Sequence, residues 1–269
     1  MDLITLLAII CLLLVAVAFS PLGLGGGILY VPIMHYMLDW EIKEALVASL
    51  TLVLMVSLGS SLAHSKSGFA NHQVAKWGRI AAVPSAVIGV LLSGILLSWV
   101  GDIGIKIIAA IVITFVLERT IRTHQTTNST EFTETYVSEK RNQYFTGSSF
   151  AGMAAGILGI GGGAILVTLN RSLLKMDSKK SAGTSYLVTA TIVPVALLSH
   201  LLISQNFEKI VDNSGIFAII LVPIMVFASA FFGAKYAIKY LPKQVVTGVF
   251  LFVVSISLLR YIIDFVSLI

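Results

Sequence analysis

Long apolar runs broken by short polar stretches set the pattern of this chain. They cover residues 3–19, 28–38, 45–63, 80–98, 103–118, 145–158, 164–174, 183–203, 215–234 and 244–263. None sustains the polar/apolar alternation of a half-buried strand, so helices are predicted throughout. Most runs approach the roughly 20 apolar residues that carry a helix across a bilayer. Those at 28–38 and 164–174 are shorter, and each follows a cluster of glycines. The stretch 120–143 is polar and separates a first block, 1–119, from a second, 144–269.

Composition sharpens this into a class. Hydrophobic residues make up 57% of the chain, charged residues 12%, and mean hydropathy is +0.96. Soluble domains carry about 25% charged residues, so too few charges are present to face such an apolar core with water. In lipid the backbone must satisfy its own hydrogen bonds, which selects helices. The predicted class is an all-α membrane protein. The chain opens Met1-Asp2 without the basic segment of a cleavable signal, so residues 3–19 are expected to stay in the membrane. The single cysteine, Cys11, allows no internal disulfide. The net charge of +5 comes from short basic loops, and topology explains it better than a nucleic-acid partner.

The chain repeats itself. Leu22-Gly23-Leu24-Gly25-Gly26-Gly27 overlies Leu158-Gly159-Ile160-Gly161-Gly162-Gly163 at an offset of 136. The same offset pairs Val31 with Val167, Lys43 with Lys179, Ser49 with Ser185 and His64 with His200. An offset of 139 then pairs Pro84 with Pro223 and Gly94 with Gly233. Each repeat is expected to hold a glycine-broken helix and half-helix followed by three transmembrane helices. If each broken region enters and leaves on one face, 14 of the 18 Lys and Arg residues share a face. Lys43, Lys106, Lys209 and Arg260 remain on the other. Single crossings at those regions would split the basic residues almost evenly. The positive-inside rule therefore favours termini outside, the 120–143 linker in the cytoplasm, and two inverted repeats. Asn128-Ser129-Thr130 fits a glycosylation sequon, which matters only in a lumenal compartment.

Candidate chemistry gathers at the breaks. Glycine costs a helix interior about 1 kcal/mol against alanine, so three in a row should stop the helix. The helix restarting beyond each cluster offers free N–H groups and a positive dipole end, a generic anion site. Gly25, Gly26 and Gly27 with Gly161, Gly162 and Gly163 are the expected donors; close packing through small residues is the other reading. Ser49 and Ser185, with Thr184 beside the latter, offer hydroxyls to an anion, or bond their own helix backbone. Thr51 and Tyr186 lie close by as weaker candidates. His64 and His200 are candidates for proton coupling, or are interfacial histidines with satisfied hydrogen bonds. Arg171 follows Asn170 near a half-helix end, where it attracts anions or serves the positive-inside signal. No Asp, Glu, Lys or Arg falls at the centre of an apolar run, which argues against a buried carboxylate relay. No metal site, cofactor or catalytic constellation is indicated. The expected partners are a small anion, membrane lipid and, in a homodimer, a second copy.

The Gly-x-Gly-Gly-Gly break followed by Val31-Pro32, its echo ending in Val167, and the Ala48-Ser49-Leu50 and Gly183-Thr184-Ser185 stretches resemble the sulfite exporter TauE/SafE family of membrane permeases. The resemblance spans both halves. Thr168 stands where a proline is expected after Val167. The resemblance implies export of small sulfur-containing anions, such as sulfite or organosulfonates, across a bacterial inner membrane or its equivalent. From the residues alone, an anion channel and a non-transporting scaffold remain rivals to an alternating-access carrier.

Overall fold

A computed structural model describes residues 3–125, 138–204, 207–240 and 242–266. Its elements are α1 (Leu3–Phe19), α2 (Gly27–Met37), α3 (Ile42–Lys66), α4 (His72–Trp99), α5 (Asp102–Gln125), α6 (Arg141–Leu158), α7 (Gly163–Ser172), α8 (Ser178–Ser204), α9 (Phe207–Ser214), α10 (Ile216–Tyr240) and α11 (Lys243–Val266). No strand occurs among the described residues. The core of the predicted linker, with Asn128-Ser129-Thr130, lies outside the described residues.

Each apolar run became a helix, and most helices extend past their runs into polar flanks. Caps explain two of these extensions. The Asn71 side chain accepts from the Val74 N–H at 3.0 Å and starts α4 well before Ile80. Asp177 accepts from the N–H groups of Lys179 and Lys180 and starts α8 before Gly183. α3, α4, α8 and α10 are long and apolar enough to cross a membrane. The pattern gave no hint of α9, a short amphipathic helix. Its Asn213 donates to the buried Glu44 carboxylate at 2.9 Å, and Lys209 pairs with Glu41 at 3.4 Å.

Two long helices, α3 and α8, pack against each other at the centre. α10 lies on α3 and α4 lies on α8; α1 packs on α10 and α6 on α4. The helices pair off, α1 with α6 and α3 with α8 at the offset of 136, and α4 with α10 at 139. The α4–α6 contact is the tightest because glycines allow it. A Cβ on Gly152 or Gly156 would strike the Ala82 or Ala86 carbonyl, and one on Gly89 the Met153 carbonyl. Large apolar side chains such as Leu14, Ile111, Leu202, Phe217 and Phe232 point outward, as expected of lipid-facing surface.

Candidate substrate site at the paired glycine breaks

Glycine is required at the breaks because the backbone there is left-handed. Gly23, Gly25 and Gly26 have φ of 82°, 76° and 82°; Gly159, Gly161 and Gly162 have 64°, 74° and 71°. The three positions in each half are the ones the offset equates. Two non-glycine residues share this backbone among the described residues, Asp39 and Lys175, both at φ 56°. They too are 136 apart.

α2 and α7 restart directly after these turns, capped by Gly26 and Gly162 with no side-chain hydrogen bond. The Gly26 carbonyl accepts from Leu29 and Tyr30, and the Gly162 carbonyl from Leu166. The first N–H groups of each half-helix have no acceptor within their own helix. Both half-helix starts are buried at the middle of the molecule.

The two breaks touch reciprocally. A Cβ on Gly27 would lie 2.5 Å from the Ile160 Cα, and one on Gly163 would lie 2.7 Å from the Gly23 carbonyl oxygen. Ser49 donates to the Gly159 carbonyl at 2.9 Å. Ser185 donates to the Gly23 carbonyl at 2.9 Å and approaches that of Gly163 at 3.1 Å. Each serine thus holds the break of the other half. Val53 packs against Gly25 and Gly161. The cavity beside Gly27 and Ile160 measures only about 10 Å³, room for one water molecule at most. In this conformation the breaks are shut on each other.

The structure brings Gly25 to Gly27, Gly161 to Gly163, Ser49 and Ser185 together. It sets the other expected residues apart. Thr184 accepts from the Asn71 N–H at 3.0 Å and ties α8 to the start of α4. Thr51 bonds its own helix at the Val47 carbonyl. His64 donates through Nδ1 to the Ser60 carbonyl at 2.9 Å. His200 donates through Nε2 to the Gly156 carbonyl at 2.7 Å and lines a polar cavity of about 240 Å³ with Lys43, Leu46 and Ser93. Leu46 also packs on Gly159, so this cavity reaches the back of the second break. Asn170 bonds the Ser181 carbonyl at 3.1 Å and Arg171, beside it, is half-buried.

Tyr186 was a weaker candidate in the sequence; Tyr30, Ser57 and Ser60 went unnoticed there. Tyr186 donates to the Phe19 carbonyl at 2.7 Å and so closes the end of α1. Tyr30, Ser57 and Ser60 are fully buried; among the described residues the Tyr30 and Ser57 hydroxyls have no hydrogen-bond partner, and Ser60 lies beside the Tyr186 hydroxyl. Ser57, Ser60 and His64 fall at i, i+3 and i+7 of α3, a polar stripe that helical periodicity makes readable.

Residues 8–261 match the protein family described as sulfite exporter TauE/SafE. The chain belongs to the sulfite exporter TauE/SafE family. With its apolar helices, this makes the TauE/SafE chain a transmembrane transport permease. No curated protein and no solved structure matches it.

Proposed function

We propose that this TauE/SafE permease is a secondary carrier of small anions, sulfite or organosulfonates foremost. It works by alternating access of two inverted repeats in a cell membrane, with both termini outside. One observation carries the reading: Ser49 holds Gly159 while Ser185 holds Gly23. Shifting the first bond by 136 in opposite senses generates the second, which is the relation a two-fold axis imposes. Such an axis would pass between two half-helix starts that no side chain caps, the arrangement by which broken helices bind anions in carriers. Gly25 to Gly27 and Gly161 to Gly163 supply N–H donors once the halves part, and Ser49 and Ser185 exchange carbonyl partners for anion oxygens. Thr184 holds the end of α8 nearest Ser185. His64 and His200 are the groups available to couple a proton.

The shut contact between the breaks also suits a scaffold that transports nothing. Ligand binding separates the two readings. Thermal unfolding in detergent is measured with sulfite, sulfoacetate, sulfate and chloride. A carrier gains about 2.7 kcal/mol when the anion stands at 100 times its Kd. The gain should appear with the sulfur oxyanions and shrink in Gly26→Leu and Ser185→Ala. No gain with any anion favours the scaffold, and an undiminished gain in both variants removes the site.

A further inference from the structure

The two central helices run antiparallel, which sets equivalent residues at opposite ends of the pair. His64 of α3 meets Gly183 of α8, Val53 and Val193 meet at Gly161, and Leu46 shares a cavity with His200. At 1.5 Å per residue, positions 43 and 64 of α3 stand about 32 Å apart, close to the thickness of a hydrocarbon core.

At each end a lysine of one half meets the histidine of the other. Lys43 and His200 line the cavity of about 240 Å³ at one end. At the other, Lys179 lies over the Phe69 ring at 5.3 Å, and the Phe69 N–H donates to the His64 carbonyl at 2.9 Å. The offset of 136 relates the two pairs, Lys43 to Lys179 and His64 to His200. It also relates what lies between. Leu46 packs on Gly159, and its equivalent, Ala182, packs on Gly23. Each lysine–histidine end therefore backs one glycine break.

The two ends are in different states. The Lys179 ammonium donates to the Ile238 carbonyl at 2.7 Å, near the end of α10, and Gly183 sits against the Phe69 carbonyl. This latches α8 to α10. At the offset of 139, Trp99, the last residue of α4, is equivalent to Ile238. Lys43 makes no such bond among the described residues and lines the cavity instead. Exposed Lys43, Gly94 and Ile203 form the mouth of that cavity, and buried Leu46, Ser93 and His200 form its inner end.

We infer that these ends are alternating anion vestibules, each closed by its own lysine latch: the Lys43–His200 end stands open here, and the Lys179–His64 end is shut. This rests on the anion-carrier reading above and names the entrances to its site. Charge sets the class of ligand. Glu41 and Glu44, the acidic residues beside Lys43, are held by Lys209 and Asn213 of α9. The Lys43 ammonium is left to draw a small oxyanion, a sulfite or sulfonate, into the mouth. The cavity holds such an anion together with several waters, at about 30 Å³ of liquid volume each. Closing exchanges the anion for the Trp99 carbonyl, as Lys179 has done at Ile238.

Cysteine accessibility tests the latch. In a Cys11→Ser background, Leu46→Cys reports on the open end and Ala182→Cys on the shut one. The probe is a small thiol reagent bearing a sulfonate, applied to protein in detergent. Position 46 should react at least about tenfold faster than 182, a difference of about 1.4 kcal/mol in access. Equal rates overturn the open and shut assignment. Adding Lys179→Met should speed position 182 and slow position 46. A rate at 182 that ignores Lys179→Met overturns the latch, and rates that rise together at both positions overturn the alternation. Thermal unfolding with sulfite tests the anion without a cysteine. Lys43→Gln should keep its unliganded Tm, because Lys43 is exposed. Its Kd for sulfite should rise about tenfold, the loss expected for one hydrogen bond to a charged ligand. If wild type gains stability from sulfite and Lys43→Gln gains as much, the vestibule is wrong and the carrier reading stands. If wild type gains from no anion, both fall.

Discussion

At the scale of single residues, the breaks depend on what each atom meets. Ser185→Ala removes the donor of the buried Gly23 carbonyl and a second contact to the Gly163 carbonyl, which opens the first turn of α7. The expected loss is about 1–3 kcal/mol, read as a lower Tm in detergent. Ser49→Ala, which releases one carbonyl, should cost less. Gly27→Ala should cost at least as much as Ser185→Ala, because its methyl would meet the Ile160 backbone, which has nowhere to move. Gly248→Ala is the control. Nothing lies within 4 Å of the added methyl in α11, and the change should stabilise by about 0.5–1 kcal/mol. Which residues matter here was readable from the repeat. What they touch was not. Ser49 and Ser185 looked like donors to an anion, yet their protons go to carbonyls 110 and 162 positions away. Such partners come from docking the halves, which no local pattern encodes.

Elements were legible where a long run met a breaker. The glycine clusters ended α1 and α6 and restarted α2 and α7 at the expected places. The starts of α4 and α8 were read late because their caps, Asn71 and Asp177, sit in polar flanks that hydropathy ignores. α9 escaped because eight residues give too short a period to stand out. Helix contacts were the least legible. Gly152 and Gly156 look unremarkable in sequence, yet they let α6 lie against the α4 backbone. Gly156→Leu should separate α4 from α6 and abolish the monodisperse peak in size-exclusion chromatography. Gly94→Leu, on α4 but with open space at its Cβ, should keep that peak. Equal behaviour of the two variants would contradict the packing account.

For the whole molecule, the offset of 136 carries the argument. It was read from glycines, a serine and a histidine. It recurs in the φ angles of the breaks, in Asp39 with Lys175, and in the crossed serine bonds. A half-chain repeat survives in sequence because backbone constraints on glycine leave few substitutes. The side chains around it were free to diverge, which is why Leu166, Val193 and Ala196 stand at the positions equivalent to Tyr30, Ser57 and Ser60. The central claim is that the halves rock about the breaks and carry one anion per cycle. Counterflow in proteoliposomes tests it directly. Radiolabelled sulfite uptake should saturate, and unlabelled sulfite trapped inside should accelerate it, because a loaded carrier returns faster than an empty one. Uptake no greater than in protein-free liposomes, or flux that rises linearly and ignores trapped sulfite, would contradict the account.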